Sequence, residues 1–169
     1  MSSLDVIKKI LVNELPIDKT RVWAYNSNID LPQDNNLFIV LHYGERSPIS
    51  NTIRYKTTQD GLNEVQSMNV AENVIVSVMS KNTDARDKAP EVVMAMNSTF
   101  ARQQQAKNKM HISILGDVLD NSFLEATSRI NRFDVRLRVF VSFDKIKAVD
   151  YYNKFPNTSE FEGEYHFNS

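Results

Sequence analysis

Eleven consecutive residues near the end of the chain alternate between two kinds of side chain, and they constrain the fold more than any other stretch. In residues 133–143 every odd position is large and apolar, whereas the even positions include Asp134, Arg136 and Arg138. A repeat of two is that of a β-strand with one buried face. The segment therefore predicts a long strand, with Leu137 pointing into the core.

A second apolar stretch predicts a strand of a different kind. Residues 37–43 form a nearly continuous apolar run, which is typical of a strand covered on both faces. Residues 44–51 contain Gly44 and Pro48 and should end this strand, because proline cannot donate to the ladder of a sheet.

Residues 52–70 predict a β-hairpin, because alternating residues flank the turn sequence Gln59-Asp60-Gly61. This hairpin has little hydrophobic content, so we expect it to project from the core. Its second strand should continue to residue 80, with an interruption near residues 71–73. Shorter strands are predicted at residues 21–25 and 111–115.

Two segments have the spacing of amphipathic helices. Ser2 or Ser3, with Asp5 as a capping-box partner, can begin the first helix, and Pro16 ends it. The second lies between residues 83 and 107 and starts near residue 88 or kinks at Pro90. Its apolar stripe consists of Ala85, Ala89, Val92, Val93, Met96 and Phe100.

These elements predict an α+β fold with a single domain. We expect a mostly antiparallel sheet packed against an N-terminal helix and one long central helix, with a projecting hairpin. The domain should span residues 1–156. Residues 157–169 are polar with single aromatic residues, and we expect them to form a C-terminal arm that needs a neighbour to hold it.

The composition excludes several classes of function. The formal net charge is −1 and the isoelectric point about 6.3, which argues against strong binding of nucleic acid by an isolated subunit. The chain has no cysteine, so disulfides, thiolate nucleophiles and iron–sulfur clusters are excluded. No apolar run is long enough for a signal peptide or a membrane span, and we expect neither.

No constellation of residues indicates catalysis. His42, His111 and His166 are far apart in sequence, and His42 is expected to be a structural histidine. Asp117 and Asp120 have the spacing of a magnesium site, but loop capping is the favoured interpretation. With four glycines there is no phosphate-binding motif. We therefore expect no cofactor, no metal and no enzymatic activity.

One local cluster of basic residues remains, formed by Arg129, Arg132, Arg136 and Arg138. Arg136 and Arg138 share a strand face. The favoured interpretation is a solvated face with internal pairing to Asp134, and the alternatives are contacts with a neighbouring subunit or with DNA phosphates.

Several stretches taken in order resemble the neck or tail terminator-like proteins of tailed bacteriophages. The similarity covers roughly residues 20–156, and its motifs are moderately specific only through their shared order. The stretches are Val22-Trp23-Ala24-Tyr25-Asn26, Leu31-Pro32-Gln33-Asp34, Leu37-Phe38-Ile39-Val40, residues 67–78, Glu91-Val92-Val93-Met94-Ala95-Met96, Asn131-Arg132-Phe133, and Asp150-Tyr151-Tyr152 with Phe155.

The resemblance implies a virion protein, made in the host cytoplasm, that forms a ring, commonly of six copies, closing the tail tube or joining it to the neck. Its partners would be copies of itself, other neck and tail proteins, and genomic DNA passing through the lumen without sequence-specific binding. The alternatives are another virion subunit, such as a tail tube, head-completion or baseplate protein, or a protein-binding module outside phages. The candidate interface residues are Arg54, Lys56, Gln59, Asp60, Arg136, Arg138, Phe161, Tyr165 and Phe167.

Overall fold

A mostly antiparallel sheet with helices packed against it forms the molecule, which is seen in a computed structural model describing residues 2–24, 32, 34–58, 61–125 and 128–149. The helices are α1 (Ser3–Glu14), α2 (Asp84–Met96) and α3 (Thr99–Lys107). The strands are β1 (Val22–Ala24), β2 (Phe38–Thr58), β3 (Gly61–Ser80), β4 (Met110–Ile114), β5 (Leu119–Asp120), β6 (Phe123–Glu125) and β7 (Ser128–Val149). This is the α+β class that the sequence predicts.

The strand order is β1-β2-β3-β7-β4, and β5 and β6 also pair with β7. Among the described strand pairs, only β1–β2 is parallel. The three long strands continue side by side from the helix-covered part of the sheet to its far end, where Leu62 pairs with both Thr57 and Val149. The register between β3 and β7 has no shift over its whole length.

The first helix begins and ends as predicted. The side chain of Ser2 accepts from the backbone N–H of Asp5, and the Asp5 carboxylate accepts from the Ser2 N–H at 3.1 Å. This reciprocal pair satisfies two donors that a helix start leaves open. The apolar face of α1 is then fully buried, with Val6, Ile7 and Ile10 at 0% exposure.

The predicted long central helix is wrong in one respect: it is two helices, α2 and α3. The Ser98 hydroxyl accepts from the backbone N–H of Ala101 at 3.0 Å and so begins a new helix, while the Asn97 amide donates to the Val93 carbonyl. Pro90 lies inside α2, which begins at Asp84 and not near residue 88. The predicted stripe does face the core, since Ala85, Ala89, Val92 and Met96 are buried.

Two predictions about β2 and β3 are also wrong. The strand β2 does not end at residue 43, and β3 is not interrupted at residues 71–73. The irregularity lies in β2, whose register shifts between Tyr43 and Arg46 and again between Pro48 and Ser50. Glycine and proline are accommodated as bulges there, because the continuous strand β3 keeps the ladder intact. Residues 37–43 are also not covered on both faces, since Val40 and His42 are only half-buried.

The core lies between the helices and one face of the sheet. Ile39, Val78 and Phe133 are neighbours across three strands, and so are Leu41, Val76 and Val135. Leu137 is fully buried, as the alternating pattern predicts. The strand that contains it is much longer than the eleven residues that carry the pattern, because β7 runs on beyond the part that the helices cover.

No helix among the described residues is both long enough and apolar enough to cross a membrane.

Candidate subunit interface

At the far end of the sheet the outer strands are exposed, with no cover from the described helices, and we call this part the extension. It consists of residues 51–58 of β2, 61–68 of β3 and 143–149 of β7. Eight residues of strand span about 27 Å. The predicted hairpin exists and is formed by β2 and β3. The extension contains a third strand that was not predicted there, because β7 pairs with β3 as far as Val149. The turn residues Gln59 and Asp60 lie outside the described residues.

Large apolar side chains are exposed on the face of the extension that continues the core face. Residues paired across neighbouring strands share a face, and the register places Ile53, Tyr55, Met68 and Phe143 there. Their exposed fractions are 55%, 64%, 39% and 43%. We call these four side chains the apolar row; charged residues such as Lys147 share its face. Large apolar side chains exposed together mark a candidate surface for contact with a partner.

The opposite face of the extension carries the two predicted cations of β2. Arg54 and Lys56 are exposed there, on the same face as Asp144 and Ile146. Ile146 is 68% exposed. The Asp144 carboxylate accepts from the Ser67 hydroxyl at 2.7 Å, which links β7 to β3 at this face. The strand β2 thus separates its apolar side chains from its basic ones by face.

Both outer edges of the extension lack a strand partner among the described residues. The pairing of β1 with β2 ends at Leu41, and the pairing of β4 with β7 ends at Val141. By contrast, the outer edge of β4 is blocked, because the Gln105 side chain accepts from the backbone N–H of Ile112 at 2.8 Å. Unpaired edges offer backbone donors and acceptors to another strand. The extension therefore offers two edges as well as an apolar face.

A buried carboxylate anchors the base of the extension. Glu72 is 3% exposed, and it accepts from the Ser3 hydroxyl at 2.5 Å and pairs with Arg46 at 2.5 Å. Arg46 also lies over the ring of Tyr43, at 6.0 Å from its centroid. These contacts join the start of α1 to β3 and to the first bulge of β2. They fix the point from which the extension departs.

The basic cluster predicted on β7 divides into two parts. Arg132, not Arg136 or Arg138, pairs with Asp134, at 2.9 Å. Arg138 donates to the side chain of Asn73 at 3.2 Å. Arg136 and Arg138 are exposed on the face of β7 opposite the helices. They lie outside the extension, so the structure does not bring them together with Arg54 and Lys56. The predicted ion pair with Asp134 is therefore formed by Arg132. Arg136 and Arg138 do not form it.

The Asp134 carboxylate is 4% exposed and fully hydrogen-bonded. Burial alone would raise its pKa, but hydrogen bonds from Arg132, Ser77 and Asn121 together outweigh burial and hold the pKa below its ordinary value. Burial lowers the pKa of the neighbouring His42, and the charge of Arg132 lowers it further. Both effects favour the neutral form of His42 and outweigh the opposite effect of the Asp134 charge.

The described residues hold no group of three or more side chains that could bind a metal ion. Of the two candidate magnesium ligands, Asp120 caps its own loop, because it accepts from the backbone N–H and the hydroxyl of Ser122. These hydrogen bonds lower the pKa of Asp120. A groove beside β4, lined in part by Ile49, Met110 and His111, contains no carboxylate among its described lining residues.

The sequence prediction missed the apolar part of this surface. Ile53 and Tyr55 alternate with the predicted residues Arg54 and Lys56. Because this segment was predicted to project from the core, two large apolar side chains in it could have been recognised as an exposed apolar face. Phe143 was predicted on the buried face of its strand, but it is 43% exposed because it lies beyond the helix-covered part. Met68 and Ile146 carry no sequence signal, because only the pairing of β3 with β7 places them on the extension. Phe161, Tyr165 and Phe167 lie outside the described residues.

Comparisons with known proteins give little. No protein-family model and no curated protein matches the chain. A chain in a solved structure of the virion of a native gene transfer agent particle aligns with 80% of this chain and 94% of its own length, with 11% identity and a TM-score of 0.30. A score of this size carries no argument about fold or function.

Proposed function

We propose that this protein is a structural subunit of a tailed-phage virion that works by assembling into a ring at the end of the tail or at the neck. The observation that carries the proposal is the extension, with its exposed apolar row and its two edges that have no strand partner within the described part of the chain. The sequence resemblance to neck or tail terminator-like proteins supports the same function and indicates six copies.

A ring requires contacts between two different surfaces of each copy, related by a rotation that closes. The two edges of the extension are different surfaces, because one belongs to β2 and the other to β7. Successive copies can therefore meet head to tail along their extensions. Exposed apolar side chains at such a contact lose their contact with water, which favours association.

The proposal includes no catalysis. The function of the subunit is to bind other copies and neighbouring virion proteins, and to let genomic DNA pass through the ring without sequence-specific contacts. The near-neutral net charge agrees with this, because a strongly basic lumen would bind the phosphates of the passing DNA.

Native mass spectrometry of the purified chain tests the proposal. We expect a closed oligomer that depends on the apolar row, so that the double variant Ile53→Ser and Tyr55→Ser is mostly monomeric yet melts like the original chain. Leu124→Ser is the matched control, because Leu124 is 77% exposed but lies outside the extension. A chain that stays monomeric at high concentration, and is absent from purified virions, contradicts the proposal.

A further inference from the structure

The C-terminal arm contains a segment with its own period of two. In residues 160–167 the odd positions are Phe161, Gly163, Tyr165 and Phe167, and the even positions are Glu160, Glu162, Glu164 and His166. This repeat is that of a β-strand with one aromatic face and one acidic face. A strand of this composition fits a sheet edge that has an apolar face and a basic face.

The β2 edge of the extension is such an edge. Ile53 and Tyr55 lie on one face, Arg54 and Lys56 lie on the other, and residues 51–58 contain no acidic side chain. The β7 edge also carries two cations, Lys145 and Lys147, but it fits less well because they share a face with Phe143, whereas Asp144 lies on the other face with Ile146. Charge complementarity therefore favours β2 as the strand that the acidic segment joins.

If residues 160–167 pair antiparallel with residues 51–58 along their whole length, only one register is possible. This register sets Glu162 opposite Lys56 and Glu164 opposite Arg54. On the other face, Tyr165 lies opposite Ile53, and Gly163 leaves room for the ring of Tyr55. Every acidic residue that meets a charged partner in this register meets a cation, and the aromatic residues lie beside the exposed apolar row.

The direction of the strands fits a segment from the neighbouring copy, and because β2 of the same copy has the same direction, the choice of the neighbour rests on the proposed ring. Both β2 and β7 run toward the tip of the extension, where β7 ends at Val149. In a head-to-tail ring whose axis follows the extension, the β7 edge of one copy lies beside the β2 edge of the next. These two strands are parallel to each other, so a segment that returns from the tip runs antiparallel to β2 of the next copy, which is the more stable pairing.

We infer, on the basis of the proposed function, that residues 160–167 of one copy add as an antiparallel strand to residues 51–58 of the neighbouring copy. The connecting residues 150–159 reach about 33 Å when extended, which exceeds the distance of about 10 Å that separates strands two positions apart. The strand covers the open β2 edge and part of the apolar row of the extension.

Disulfide formation tests this contact without background, because the chain has no cysteine. Thr52 and His166 are opposite each other in the proposed register and outside the charged and aromatic pairs. A mixture of Thr52→Cys and His166→Cys chains should form a covalent heterodimer on mild oxidation. Asn13→Cys replaces Thr52→Cys as the control, since Asn13 is exposed on α1, and it should give at least tenfold less heterodimer.

The chain carrying both cysteines identifies the source of the strand. Links between chains, seen as a ladder in a denaturing gel, support the inference. A single-chain product with an internal link overturns it, because the strand would then come from the same copy. Oligomers that assemble but form no link also overturn the inference and leave the proposed function standing, whereas a strictly monomeric chain contradicts both.

Charge reversal with rescue tests the register independently. The pair Arg54→Glu and Lys56→Glu should weaken assembly at least tenfold, and adding Glu162→Lys and Glu164→Lys to the same chain should restore it to within about threefold. The pair Lys9→Glu and Lys19→Glu makes the same change of charge on exposed residues far from the extension and should leave assembly unchanged. A failure of the rescue, with all variants folded, overturns the proposed pairing.

Discussion

The same three strands have two different surroundings along their length. At one end Leu41, Val76 and Val135 lie side by side under the helices, and each is no more than 1% exposed. At the other end Tyr55, Glu64 and Lys147 occupy the equivalent positions on the same face, with Tyr55 64% exposed. The β3–β7 register continues without a shift from one end to the other, whereas the described helices cover only the first end.

This difference separates two roles of a sheet. The helix-covered end supplies the burial that stabilises the fold, because apolar area removed from water is the main favourable contribution. The extension adds backbone pairing but buries little, so it depends on the covered end for its order and has surface left for a partner. Substitutions at the two ends should therefore have different consequences.

The largest difference is expected for an acidic residue placed at each end of β7. Leu137→Asp puts a carboxylate at a position with 0% exposure and should cost more than about 4 kcal/mol, which is enough to unfold the chain. Ile146→Asp, nine residues further along the strand, should change the free energy of unfolding by at most about 0.5 kcal/mol. Urea denaturation followed by circular dichroism measures both, and a cooperative, stable Leu137→Asp variant would contradict the assigned buried face.

Glu72 marks the boundary between the two ends. Glu72→Ala removes the acceptor of Ser3 and the partner of Arg46 and should cost about 2 kcal/mol, less than an unpaired buried charge because Arg46 is itself exposed. Glu64→Ala, on the same face of β3 toward the tip, is the control and should cost no more than about 0.5 kcal/mol. Equal losses of stability in the two variants would contradict a stabilising role for the contacts of Glu72 with Ser3 and Arg46.

A smaller, pH-dependent effect is expected at the covered end. The pKa of Asp134 is lowered from its ordinary value of 3.8, so its ionised form stabilises the fold above that pH, and this stabilisation is lost as the pH falls through the lowered pKa. Asp134→Asn should cost about 1 kcal/mol at pH 7, and the difference from the original chain should narrow below about pH 4.

The matched variant for Asp134 is Asp144→Asn on the extension, where the carboxylate is exposed. It should change the free energy of unfolding at pH 7 by at most about 0.5 kcal/mol. Denaturation curves collected across the pH range compare the two variants. A constant cost of Asp134→Asn down to the lowest pH would show that its carboxylate contributes no charge-dependent stability.

The smallest effect on stability is expected at the C-terminus. Deleting residues 157–169 should shift the melting temperature of the monomer by no more than about 2 °C, because the deletion leaves in place every core residue that the structure describes. The same deletion should weaken assembly. Calorimetry at a concentration where the chain is monomeric measures the first effect, and unfolding of the truncated chain would mean that the arm belongs to the core.

Local features were predictable wherever the interacting residues are close in sequence. The capping pair of Ser2 and Asp5 spans three residues, and the buried parity of Leu137 follows from its own strand. The break before Ser98 was missed because a serine within a helical pattern has no apolar signal, and its capping bond to Ala101 competes with continuation of the helix.

The candidate interface was predictable only in part. The alternation around Arg54 and Lys56 identifies a strand with a basic face, and the turn sequence at residues 59–61 identifies its partner. The pairing of β3 with β7 joins residues that are 75 or more positions apart over the extension, such as Glu64 with Lys147, and no local pattern reports such contacts.

The sequence by itself determines the element types, the buried faces of α1, α2 and β7, and the absence of cysteine chemistry, because these depend on periodicity and composition. Only the tertiary structure decides that β2 continues past Gly44 and Pro48, that Glu72 is buried, and that three strands leave the core together. The physical reason is that a bulge or a buried carboxylate is tolerated when distant partners supply its hydrogen bonds, and those partners are chosen by the fold.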